Sequence, residues 1–421
     1  MEKNLGFQIL PPQLELRYTF SLPSFSKQKI IIRSLDRERE GYLLSDFPVQ
    51  TESRNVKDRL LYIENLRLII IIFVVMQHLA VTYSGIGSWY YYANTHLDTI
   101  STISFAFYLT FQQGYFMGVL FFIAGFFEAG SYDRKGFGKF IKDRFTRLII
   151  PTLIYMVAIT PFIEYVELGN KWTGFDVIGF LSGTGVMWFT VALFAFSLVY
   201  GLFRLSRRAN PTSDGRQVTF SFLLAVILII IISVFAFSIR VVQPIGTSIL
   251  NMQLCFFASY IILFIVGILA YRSNMFNRIS YRTGKRWLVG GIVLGFIFWL
   301  ALMIVFTMSG SLTAFYGGLT WQSAGYSLWE SFVAVAMSIG LIVVFRERFN
   351  RQSKMTSKLA ENSFSVYMFH PMIIIGITIA FSGVVLYPLG KWLLLCLICI
   401  PVCFAATYFI FRRIPLLKKF L

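Results

Sequence analysis

Three residues near the amino-terminal side of the chain could do chemistry together: Glu64, Arg67 and His78, all within the first strongly apolar stretch, DRLLYIENLRLIIIIFVVMQHLAVTYSGIGSW. A charged side chain deep in a bilayer costs about 2.5–3.5 kcal/mol even on lenient insertion scales, so such residues face protein or water rather than lipid. Eleven residues at 100° each bring His78 about 20° past three full turns from Arg67, so the two share one helix face, roughly 16 Å apart along the axis. That is too far for contact, yet it forms one line from the membrane edge inwards. His, with an ordinary pKa near ~6.5, suits proton acceptance near neutrality.

Two further groups extend the line. Of the three histidines, His78 and His370 lie inside apolar segments, and His370 stands about eight residues into its segment, or roughly 12 Å deep. Both could line one cavity, although each could equally be a hydrogen-bonded packing residue. Pro371 removes a backbone donor and would free a carbonyl close to His370. In SYDRKGFGKFIKDRFTRLIIP, Arg144 and Arg147 fall three residues apart on one predicted helix face. Paired guanidinium groups suit a phosphate-bearing ligand, while a basic cytoplasmic loop explains them without any ligand.

The elements that must position these residues are membrane helices. The chain of 421 residues is 57% hydrophobic and 14% charged, with mean hydropathy +0.69, which places it with all-α polytopic membrane proteins. Its net charge of +18 sits between apolar runs rather than on one soluble patch, so nucleic acid is not an expected partner. Ten spans are predicted at about 62–83, 103–127, 148–167, 179–203, 217–239, 250–271, 287–309, 327–345, 362–382 and 391–411. The breaks at 129–147, 204–216, 272–286 and 346–358 and the tail after 411 hold 6, 4, 5, 5 and 4 Lys or Arg. The alternate breaks are nearly bare, so an even number of spans with both termini cytoplasmic is expected.

Residues 1–58 mix both charges without a long apolar core and read as a cytoplasmic leader, partly disordered, ahead of a membrane domain over 59–421. Cys396-x-x-Cys399 lies in an apolar run with no His, Asp or Glu beside it, so the cysteines read as packing residues and no metal is expected. Trp89 to Tyr92 (with Trp172 and Trp321) fall near external span ends, where an aromatic belt explains them; stacking on a sugar is the sharper alternative.

Together these residues carry a resemblance. The chain resembles the acyltransferase 3 family of integral membrane acyltransferases, whose first span carries an acidic residue, an Arg, ten residues and a His, as do Glu64, Arg67 and His78. The family's Arg-x-x-Arg at the start of the third span matches Arg144 and Arg147. FFIAGFF at 121–127, Trp188-Phe189, and SFSVYMFHP at 363–371 with Tyr367 and His370 agree with it too. The family more often has Asp at the position of Glu64 and Ser at that of Ala124. YIENLR, SWYYYAN and FFIAGFF are similar to the branch of glucan-modifying succinyltransferases.

The resemblance implies transfer from cytoplasmic acyl-CoA, acetyl-CoA above all and succinyl by the branch likeness, to a hydroxyl of an extracytoplasmic carbohydrate or glycan, as in O-acetylation of cell-envelope sugars. It implies a multi-pass protein of a bacterial plasma membrane, among lipid. His78 would be the base and Glu64 would orient or moderate Arg67. Arg67, Arg144 and Arg147 would hold the donor's phosphates, and His370 and Tyr367 would line the cavity. The rival class is a transporter or flippase of a glycan or small anion, with Glu330, Arg240 and the histidines as intramembrane substrate or proton sites; an inert scaffold is the third.

Overall fold

The computed structural model describes residues 60–93, 95–163, 183–207, 220–415 and 417; the leader expected over 1–58 and Trp172 lie outside them. Among the described residues nine helices are long and apolar enough to cross a membrane: α1 (Leu61–Ser84), α2 (Thr99–Ile163), α3 (Gly185–Arg207), α4 (Phe222–Val242), α5 (Leu254–Ser273), α6 (Tyr281–Ser309), α7 (Trp321–Arg348), α8 (Lys354–Ala380) and α9 (Pro388–Arg413). The chain is an integral membrane protein of the all-α class.

Nine helices stand where ten spans are expected because α2 holds two of them. Its 65 residues would reach about 98 Å if straight, some three times the thickness of a bilayer core. The run breaks at Gly136, where φ is 68° and ψ 169°, a backbone state that glycine reaches without strain. The chain doubles back there. Glu128 and Arg144, eight residues to either side of Gly136, come within 3.0 Å, and the rings of Tyr132 and Phe140, four to either side, have centroids 5.4 Å apart. The two arms are the second and third expected spans.

The second arm is not a plain α-helix. Wide π-helical turns at Phe145–Ile149 and Tyr155–Ile159 bracket the short α segment Ile150–Ile154, which carries Pro151. Proline lacks the N–H that would continue the i→i−4 ladder, and local π adjustments are one way membrane helices re-satisfy the backbone groups it frees.

Contacts at the helix ends test the alternation of loops. At one end the Asn65 amide donates to the carbonyls of Phe349 at 2.6 Å and Arg351 at 3.0 Å. There too Arg272 reaches the Tyr200 hydroxyl at 2.9 Å, and Arg346 donates to the carbonyls of Phe276 and Ile279. At the other end Asn251 donates to the Gly185 carbonyl at 2.7 Å, and Ile245 pairs with Tyr316 at 2.8 Å. The basic stretches at 129–147, 272–286 and 346–358 therefore gather at the first end, here called the basic end.

Two apolar clusters share the interior. One is built mainly from the first arm of α2 with α3, α4, α5, α6 and α7, the other mainly from α8, α9 and the second arm of α2, and α1 contributes to both. In the first cluster, backbones approach closely through glycine: a Cβ at Gly125 would overlap the Phe264 carbonyl, and one at Gly267 that of Phe122. This is the small-residue packing that membrane helices use in place of a hydrophobic driving force, and it explains the glycine of FFIAGFF. The second cluster surrounds the histidines.

Arg240 of α4 and Glu330 of α7 form an ion pair, with the Ser327 hydroxyl accepting from Arg240 at 2.7 Å. Both are fully enclosed, at 0% and 3% exposure, so the two charges satisfy each other. Removing one partner of a buried pair typically costs about 3–5 kcal/mol, whereas apolar replacement of both is often neutral. Glu330→Ala is therefore expected to lower thermal stability in detergent sharply, and the double replacement Arg240→Met/Glu330→Leu to restore most of it.

Candidate active site

α1 runs unbroken from Leu61 to Ser84, so Arg67 and His78 do share a face. α8 starts at Lys354, with the Ser353 hydroxyl capping its first turn through the Thr356 N–H at 3.1 Å, eight residues before the apolar run begins. His370 is thus roughly 24 Å from the basic end of its helix, and His78 roughly 26 Å from that of α1. Both stand at one level along the bundle, nearer the far ends of their helices than the basic end.

The two rings meet. His78 Nδ1 lies 2.8 Å from His370 Nε2, and the other nitrogen of His370, Nδ1, faces the carbonyls of Tyr367 at 2.8 Å and Val366 at 3.2 Å. The Tyr367 carbonyl would normally serve the N–H four residues on, but that residue is Pro371, which has none. The freed carbonyl is the one His370 takes.

This arrangement fixes the tautomers by elimination. Carbonyls only accept, so His370 Nδ1 carries the proton, and in the neutral ring its Nε2 then accepts. His78 Nδ1–H donates to it. The lone pair of His78 is left on Nε2, the nitrogen not engaged by His370.

Trp89 covers the pair, its indole stacked on His78 with centroids 3.9 Å apart and planes 12° from parallel. The loop after α1 folds back to put it there. Gly85 and Gly87 take positive φ, 68° and 105°, and Ala93 N–H donates to the Thr82 carbonyl at 2.9 Å. An aromatic belt at the lipid interface therefore does not account for this residue. Tyr90 beside it shares a hydrogen bond with Tyr155 at 2.8 Å, and a side chain on Gly185 would overlap the Tyr90 hydroxyl. The Tyr367 hydroxyl donates to the Val186 carbonyl, and its ring lies 6.3 Å from that of His370 with planes 32° apart, so Tyr367 meets the histidines through its carbonyl and its ring.

The polar residues at the basic end each have their own partners. Arg67 is exposed and reaches the Ala360 carbonyl of α8 at 3.3 Å. Glu64 and Asn65 take the Gln352 amide at 3.3 and 3.0 Å; with the Asn65 bonds above, they strap the α7–α8 connection to the start of α1. Arg144 meets Glu128, and Arg147 meets Asp143 at 3.0 Å. Arg144 ends the α-helical part of the run, and Arg147 lies in the π-helical turn Phe145–Ile149 that follows it. Their side chains are 18% and 68% exposed. None of these contacts joins Arg67 to Arg144 or Arg147. Among the described residues no group of three or more His, Cys, Asp or Glu could hold a metal ion.

A family profile described as an acyltransferase domain matches residues 60–408. The chain belongs to the acyltransferase 3 family. No curated protein and no solved structure matches it.

Acyl transfer to a protonated nucleophile needs a base to take its proton. His78 and His370 are the histidines this acyltransferase carries inside its helices, and they are joined. Two neighbours of the site escape sequence reasoning. Trp89 needs the loop geometry to reach His78. Asn65 hides beside Glu64, although a polar residue next to two charged ones at a span's edge is itself a signal.

Proposed function

We propose that this acyltransferase moves an acyl group from acyl-CoA, bound at the basic end, to a hydroxyl of a carbohydrate or glycan that arrives from the opposite side, with His78 as general base. The observation that carries this reading is the hydrogen-bonded His78–His370 pair, whose partners leave His78 Nε2 as an unprotonated acceptor. As the acceptor oxygen bonds to the thioester carbon, its proton passes to Nε2; the carbon–sulfur bond breaks and the CoA thiolate leaves, taking a proton in turn. His370 holds the ring and shares the positive charge that forms.

The vertical arrangement supports opposite approaches for the two substrates. Arg67 is near the basic end and the histidines are roughly 16 Å further along the same face, so phosphates held by Arg67, Arg144 and Arg147 leave the pantetheine arm to reach inward. The positive-inside rule puts the basic end in the cytoplasm, where acyl-CoA is made, and we assign the protein to the bacterial plasma membrane. Acetyl is the donor group the family favours, with succinyl supported by the likeness to the glucan-modifying branch.

The test compares surface glycans of cells with and without the gene by mass spectrometry. The expected result is one acyl mass increment on a sugar hydroxyl, lost in the deletion. Identical glycans, together with purified protein in liposomes that accumulates a substrate without releasing CoA, would overturn the reading in favour of transport.

A further inference from the structure

Glu128 is the one acidic residue in the first arm of α2 ahead of the turn region, in the sequence FFEAG, and it is 1% exposed. A carboxylate there is costly unless it is paired and hydrogen-bonded. Its Oε1 accepts from the Ser197 hydroxyl of α3 at 3.0 Å and faces Arg144 Nε at 3.0 Å. Its Oε2 is buried with no hydrogen-bond partner among the described residues. Arg144 Nε is likewise buried without a hydrogen bond among the described residues, so the contact is an ion pair set against the Nε side, at the root of the guanidinium, rather than a hydrogen-bonded grip on the planar fork as in a tight Arg–carboxylate pair.

That geometry leaves the working end of Arg144 available. Of the five N–H donors on a guanidinium, four are on the two Nη nitrogens, and among the described residues they make no hydrogen bond. The guanidinium carbon lies 5.4 Å from the centroid of Phe140, so the side chain is held from a second direction as well. The next arginine repeats the device. Arg147 Nε is held by Asp143 Oδ1 at 3.0 Å, and the other oxygen of Asp143 is taken by Lys135 at 2.8 Å.

We propose that Glu128 is a positioning residue for the acyl donor. Its charge draws Arg144 from the Nε side across the Gly136 turn so that the Nη pair faces a phosphate of the donor, and Ser197 in turn holds Glu128. This rests on the reading of acyl-CoA as donor. It also gives the turn a purpose: equal arms of eight residues about Gly136 bring Glu128 and Arg144 level.

The test uses the purified full-length protein and two donors carrying the same acyl thioester, acyl-CoA and S-acyl-pantetheine, which lacks the phosphates. Glu128→Gln keeps the size and an acceptor oxygen but not the charge. The expected result is a rise of about tenfold in KM for acyl-CoA, the scale of one charge-assisted hydrogen bond, with kcat within about twofold and no change with acyl-pantetheine. Glu128→Asp is expected to recover part of the loss. An equal loss with both donors would make Glu128 a packing residue and overturn the proposal. Should Glu128→Gln fail to fold, Ser197→Ala is expected to show the same split between donors at smaller size, and an equal effect on both overturns it likewise. A wild-type protein that uses both donors equally well would instead remove the donor reading itself.

Discussion

His78→Ala is expected to lower the turnover of acyl-CoA with acceptor by about 10²–10⁴-fold, the usual contribution of a positioned general base. Its KM for acyl-CoA should stay within about threefold, since the residues proposed to hold the donor lie roughly 16 Å away along the helix. Alanine also removes the ring on which Trp89 stacks at 3.9 Å and the donor to His370 at 2.8 Å, so a loss of activity alone could be a loss of structure. His78→Asn separates the two. Its amide nitrogen falls near the place of Nδ1 and can still donate to His370 Nε2, but it offers no basic nitrogen. It should be folded by thermal denaturation and as inactive as the alanine variant in an assay of CoA release. Wild-type turnover in His78→Asn would remove the base assignment.

The sequence shows the framework of this site more clearly than its assembly. The shared face of Arg67 and His78 depends only on helical periodicity, and α1 obeys it over its whole length. Loop charge requires an even number of crossings, and the fold meets that through a turn at Gly136 rather than through a tenth separate helix. Hydropathy sets His370 eight residues into its apolar run while the helix begins eight residues earlier still, because hydropathy marks where a helix meets lipid, not where it begins. The polar first turns of α8 from Lys354 extend the helix beyond its apolar run. The π-helical turn that holds Arg147, in a stretch that carries Pro151, is likewise invisible to α periodicity. The stacking of Trp89 on His78 is not local at all. It depends on two glycines at positive φ and on a backbone bond to Thr82, none of which has a hydropathic signature.

The contact between the two histidines joins residues 292 apart in the chain, and it carries the second large expected effect. His370→Ala leaves His78 Nδ1–H without an acceptor in a buried setting, so the imidazole can turn or exchange its proton between nitrogens, and Nε2 is no longer held as the basic one. The charge formed on His78 during transfer also loses its partner. A hydrogen bond to a charged group contributes about 1.5–3 kcal/mol, which at 1.36 kcal/mol per tenfold corresponds to a fall in kcat of about 10–100-fold. The loss should be smaller than in His78→Ala because the base itself remains. His370→Gln distinguishes orientation from packing: a side-chain carbonyl oxygen near the place of Nε2 accepts from His78 Nδ1–H without titrating. This variant is expected to return to within about tenfold of wild type, with KM for acyl-CoA unchanged in both variants. If His370→Ala keeps full kcat, His78 does not depend on its partner, and the tautomer fixed through the Tyr367 carbonyl is not what makes Nε2 the base.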